Sequence, residues 1–95
     1  MSDLNDFIDF KNSWNALSVN EKVEIAVKSD YLTNKGVDFY EKDDIDMAIY
    51  YFELVLKVMP INDDALKNLR VCYRKKHLQE KLDITIQKLR ILGIE

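Results

Sequence analysis

The sequence predicts an all-α domain of antiparallel helix hairpins, preceded by an N-terminal helical segment. Three observations carry that expectation. Two glycines and one proline in 95 residues are too few for the turns of an all-β fold and fit long helices with short connections. Ile45, Ala48, Ile49, Phe52, Val55, Leu56 and Met59 recur at helical spacing. A short polar turn, Lys42-Asp43-Asp44, separates that run from another helical pattern before it. With 47% apolar and 33% charged residues, the chain has enough apolar mass to bury one core.

Taken in order, DLNDFIDFKNSWN over residues 3–15 places Leu4, Phe7, Ile8 and Trp14 on one stripe, with Phe10 off it. Asp3 and Asp6 near the start favour the positive end of the helix dipole. Ser18-Val19-Asn20-Glu21 has the spacing of a capping box, so a second helix begins near residue 19. Val23, Ala26 and Val27 give it an apolar stripe. Two readings stay open there: Ser29 caps a new helix, or the helix runs through to Glu41.

Leu32, Gly36, Phe39 and Tyr40 share a face of the stretch from Asp30 to Glu41. Asp44 is a candidate N-cap for the helix over 45–58, and Pro60 prevents its continuation. Asn62 is the next N-cap, with Asp63 and Asp64 in the first turn. Ala65, Leu66, Leu69, Cys72 and Tyr73 stripe a helix reaching about Lys76. A turn at His77-Leu78 follows. Leu82, Ile86 and Leu89 stripe a last helix over about 79–92, which Gly93 ends. Glycine inside a helix costs about 1 kcal/mol relative to alanine. Gly36 is therefore read as a point of close helix approach, with Ala48 at the crossing and Phe39 and Phe52 on its flanks.

Residues 29–62 resemble a tetratricopeptide repeat, whose pattern sets a large apolar residue, Leu-Gly, an aromatic, alanine, a second aromatic and proline over 34 residues. Those places hold Leu32, Lys35-Gly36, Phe39, Ala48, Phe52 and Pro60. Lys35 departs from the usual leucine. Residues 63–95 repeat Leu66, Leu69, Tyr73, Leu82, Ile86 and Leu89 in register, but Arg70 replaces the glycine and Leu82 the alanine. That unit reads as a degenerate, capping repeat, and residues 1–28 as an N-terminal helical segment of the same single domain. The resemblance implies a right-handed superhelical stack of hairpins with a groove lined by the first helix of each repeat. Its groove residues here would be Thr33, Asn34, Val37 and Tyr40, then Lys67, Asn68, Val71 and Arg74. It also implies binding of a peptide or helix of a partner protein, without catalysis. Thr33 and Val37 stand where some family members place a Lys-Asn carboxylate clamp, so recognition of chaperone C-terminal tails is not expected. Because two repeats bury too little on their own, either the N-terminal segment packs on the first repeat as a third layer or two chains pair.

Net charge is −3 but unevenly placed: residues 1–47 hold five basic and eleven acidic groups, residues 48–95 nine and six. Arg70, Arg74, Lys75 and Lys76 form a basic cluster suited to an acidic peptide or partner. The negative total and the lack of a reader motif disfavour nucleic acid. No run of apolar residues is long enough to span a membrane, and MSDLNDF lacks the features of a signal peptide. The single cysteine, Cys72, fits a reducing, cytoplasmic setting and reads as a buried small hydrophobe. One histidine, His77, and one cysteine make no metal site. The acidic run Glu41 to Asp46 lacks the glycine and the terminal glutamate of a calcium loop. No catalytic constellation and no cofactor are expected. The rival functions are a self-associating assembly subunit and a small chaperone or regulatory adaptor.

Overall fold

Helix α2, Val19–Glu41, is the longest element among the described residues. The computed structural model describes residues 3–94, and the side chain of Asp3 lies outside the described residues, as do Met1, Ser2 and Glu95. Helix α1, Asp3–Ser13, and a short 3-10 turn, Trp14–Ala16, precede α2; α3, Ile45–Val58, α4, Asp63–Lys75, and α5, Gln79–Ile91, follow it. Every element among the described residues is helical.

Local sequence signals set most of these ends. At the start of α2 the Glu21 amide donates to Ser18 Oγ at 3.1 Å and the Ser18 amide donates to Glu21 Oε1 at 2.9 Å. The reciprocal bonds satisfy two amides that a helix start leaves unpaired. They also hold the Glu21 carboxyl below its usual range. Asp44 Oδ1 accepts from the Met47 amide at 3.2 Å, and Asn62 Oδ1 from the Ala65 amide at 2.9 Å, so α3 and α4 start where expected.

Helix α2 runs unbroken past Ser29, which settles the open alternative in favour of one helix. Ser29 is buried inside it and caps nothing; its hydroxyl has no hydrogen-bond partner among the described residues.

The two tight turns repeat each other. Asp43 and His77, 34 positions apart, both take positive φ, 63° and 58°. The Asp44 amide donates to the Phe39 carbonyl at 2.9 Å, and the Leu78 amide to the Tyr73 carbonyl at the same length. Aspartate and histidine are among the side chains that tolerate this region best. Three-residue turns make α2–α3 and α4–α5 antiparallel hairpins, and α3 packs against α4 to join them.

Inside the first hairpin, Gly36 is buried against α3. A methyl group there would stand 2.5 Å from Phe52 Cε1, 2.7 Å from Cδ1 and 2.9 Å from Cζ. The close approach is thus present, but the Phe52 ring fills the glycine's space instead of flanking an alanine contact. Ala48 is fully buried, in one cluster with Ile49, Phe52, Leu69, Cys72, Tyr73 and Leu82. This cluster spans both hairpins.

The N-terminal segment departs from expectation. Helix α1 packs on α5 and is not a third layer on the first hairpin. Its Phe7 is buried with Leu66 and Leu89, bordered by Leu56, Ile61 and Leu92, and Lys88 Nζ lies 5.7 Å from its ring. Phe10, off the apolar stripe, meets Trp14 at a ring separation of 5.9 Å. Ile8, assigned to the stripe, is exposed. The Val23-Ala26-Val27 stripe also faces solvent, because the first turns of the 23-residue α2 overhang the 14-residue α3.

Candidate partner-binding cleft

Helices α2 and α4 open their hairpins, and a cleft of about 320 Å³ lies between them. Val37, Tyr40 and Glu41 line it from α2, Asn68 and Val71 from α4, and Phe52 from α3. Each wall follows from helical spacing: Val37, Tyr40 and Glu41 lie within one turn, and Asn68 and Val71 are three apart. Phe52 is almost fully buried and supplies the floor, so it acts through packing.

Four of the eight expected groove residues therefore come together: Val37, Tyr40, Asn68 and Val71. Thr33 is half-buried, while Asn34, Lys67 and Arg74 are exposed, and none of these four lines the cleft. Glu41 was not among the expected residues. Its signal was a position four residues after Val37, one turn along the same face.

The basic cluster does not remain one open surface. Lys76 Nζ reaches Asp46 Oδ1 on α3 at 3.1 Å. Lys75 Nζ stands 5.8 Å from the Tyr40 ring centroid, over the side of the cleft. Lys67 pairs with Asp63 on its own helix at 3.8 Å, an exposed contact of small worth. Arg70 is half-buried and Arg74 exposed. Lys76 and Asp46 thus make one exposed contact between the basic and acidic halves of the chain.

A second polar group ties α3 to α4 and α5. The Tyr73 hydroxyl donates to Glu53 Oε2 at 2.6 Å, and Lys81 Nζ donates to the same oxygen at 3.1 Å. Burial, then the bond to Glu53, pushes the Tyr73 phenol well above its ordinary range. A phenol held neutral and a carboxylate facing an ammonium form a clasp between helices. Cys72 is fully buried, and burial raises its thiol, partly offset by the Lys75 ammonium. A protonated, enclosed thiol is a poor nucleophile. His77 is exposed in its turn.

Among the described residues, no group of three His, Cys, Asp or Glu side chains converges as metal ligands would, and no helix is long and apolar enough to cross a membrane. The cleft has an apolar floor with polar edges. Compared with known proteins, the chain matches no family model, no curated protein and no solved structure at a significant level.

Proposed function

We propose that the chain is a tetratricopeptide-type interaction module that binds a peptide or helix of a partner protein between α2 and α4, without catalysis. The observation that carries this reading is the cleft itself, walled by the opening helices of two hairpins and lined by Val37, Tyr40, Asn68 and Val71. The 34-residue recurrence of the turns at Asp43 and His77 supports assigning residues 29–62 and 63–95 to successive repeats. Gly36, Ala48 and Pro60 at their pattern positions support it further. Residues 63–95 then act as the degenerate cap, and the pattern's right-handed superhelical stacking is part of the same reading.

The test is a random-peptide display selection on the immobilised protein, followed by titration of the selected sequences onto variants. Val71→Arg, at an exposed cleft position, should weaken binding about tenfold or more. Equal affinity for Val71→Arg and the parent protein would remove the cleft as the site.

A second reading, a self-associating subunit, draws on one observation. Val19, Val23, Val27 and Tyr31 follow one another along α2 at 76%, 53%, 64% and 61% exposure. Sedimentation over a concentration series tests it: a monomer throughout would exclude it.

A further inference from the structure

The geometry points to a ligand of sorted charge: a partner's amphipathic helix whose apolar edge carries a carboxylate row on one flank and an ammonium or guanidinium row on the other. This inference rests on the peptide-binding reading of the α2/α4 cleft and specifies its occupant. The floor is apolar, from Val37, Phe52 and Val71. The two rims differ in sign. On the α2 side the charged lining residue is Glu41, exposed at the last residue of the helix. On the α4 side Lys67, Val71 and Arg74 share an edge at spacings of four and three, as residues on one helical face do. Lys75 leans from the same helix over Tyr40.

Some of this charge is already engaged and some is not. Lys76 is drawn off to Asp46 and Lys67 to Asp63, so the charge of the rim rests on Arg74 and Lys75. Among the described residues, no ion pair joins Glu41 or Arg74 to another side chain. A uniformly acidic ligand would gain Arg74 and Lys75 but press a carboxylate onto Glu41. A uniformly basic ligand would do the reverse. Like charges set opposite one another across an interface select against the wrong partner. A ligand bearing both signs, one on each side of an apolar edge, meets neither penalty. A helix supplies that arrangement, because its period places apolar, acidic and basic residues on separate strips. Exposed contacts of this kind are individually weak, so the discrimination from the two rims together is on the order of tenfold.

The experiment uses three helical peptides of equal length with the same leucine edge. Their flanks are aspartate and lysine, aspartate on both sides, or lysine on both sides. Each is titrated onto the full chain by fluorescence anisotropy at low and at moderate salt. The mixed peptide should bind roughly tenfold tighter than either uniform peptide, with the gap narrowing as salt rises. Glu41→Lys makes both rims basic and should move the preference to the doubly acidic peptide. That variant is compatible with the fold, since a cation suits a helix C-terminus; circular dichroism verifies it. A doubly acidic peptide that binds the parent protein as tightly as the mixed one would overturn the charge sorting and leave the cleft reading standing. If no peptide binds, or if Val71→Arg leaves all three affinities unchanged, the cleft reading fails and the inference fails with it.

Discussion

Gly36→Ala sets two physical effects of opposite sign against each other. In an ordinary helix interior the change stabilises by about 1 kcal/mol, because glycine loses more backbone freedom on folding. Here the new methyl would meet three atoms of the Phe52 ring at 2.5, 2.7 and 2.9 Å, where ordinary contact begins near 3.4 Å. The ring would have to retreat by about 1 Å. It has little room, since it is buried in a cluster with Ala48, Ile49, Leu69 and Cys72. Overpacking of this kind costs about 1–3 kcal/mol, and contact with three ring atoms argues for the upper part. The net is a loss of about 1–2 kcal/mol. For a domain of this size that lowers the melting temperature by about 5–10 °C. Urea denaturation followed by circular dichroism gives the free energy directly. The partner variant completes the test: with Phe52→Leu the ring is gone, and Gly36→Ala in that background should stabilise by up to about 1 kcal/mol. A Gly36→Ala protein as stable as its parent would mean that helix propensity wins and the helices are farther apart than described.

Four further outcomes follow from the same packing. Ala48→Leu should cost about 1–3 kcal/mol by overpacking a fully buried position, and an unchanged melting temperature would contradict that. Ser29→Ala should leave stability unchanged or raise it by up to about 1 kcal/mol, since it removes a buried hydroxyl with no partner among the described residues. A clear loss in urea denaturation would show that the hydroxyl has a partner. Phe7→Ala should cost about 3–4 kcal/mol, well above the cost of Ile8→Ala, because only Phe7 is buried with Leu66 and Leu89. Equal losses would place α1 elsewhere. Tyr73→Phe should cost about 1 kcal/mol at neutral pH through the lost bond to Glu53. The Tyr73 phenol is raised in the folded chain from an ordinary value of 10.0. Its stabilising contribution is therefore complete below that value and declines as pH rises through the range between the unfolded and folded values. Stability of the parent protein should thus fall more steeply above about pH 10 than that of Tyr73→Phe, and matching alkaline slopes would refute the clasp.

How far the sequence could be read depended on the range of the signal. Ser18 with Glu21, Asp44 and Asn62 were legible as helix starts because each cap acts on an amide three residues away. Gly36 was legible as a close approach because its helix-propensity cost needs a reason. Its contact was not, since Ala48 and Phe52 are one helical turn apart on α3 and only packing decides which reaches the glycine. Ser29 was ambiguous because serine suits both an N-cap and a helix interior. The seat of α1 was hidden for another reason: Phe7 meets Leu66 and Leu89 across most of the chain, and no local pattern encodes such a contact. The Val23-Ala26-Val27 stripe misled because periodicity signals an apolar face but does not supply an element to cover it. Within the cleft, Val37, Tyr40, Asn68 and Val71 followed from the resemblance alone. Glu41 was passed over because it was read with the acidic turn run that continues to Asp46 and not with the helix face of Val37.

The most direct test of the account is to map a selected peptide onto the protein by amide chemical shifts. The largest changes are predicted at Val37, Tyr40, Glu41, Asn68 and Val71, the residues that α2 and α4 contribute to the cleft. Val71→Arg should abolish them while leaving the remaining resonances in place. Changes concentrated instead on α1 and α5, or on the exposed Val19, Val23 and Val27 of α2, would contradict it.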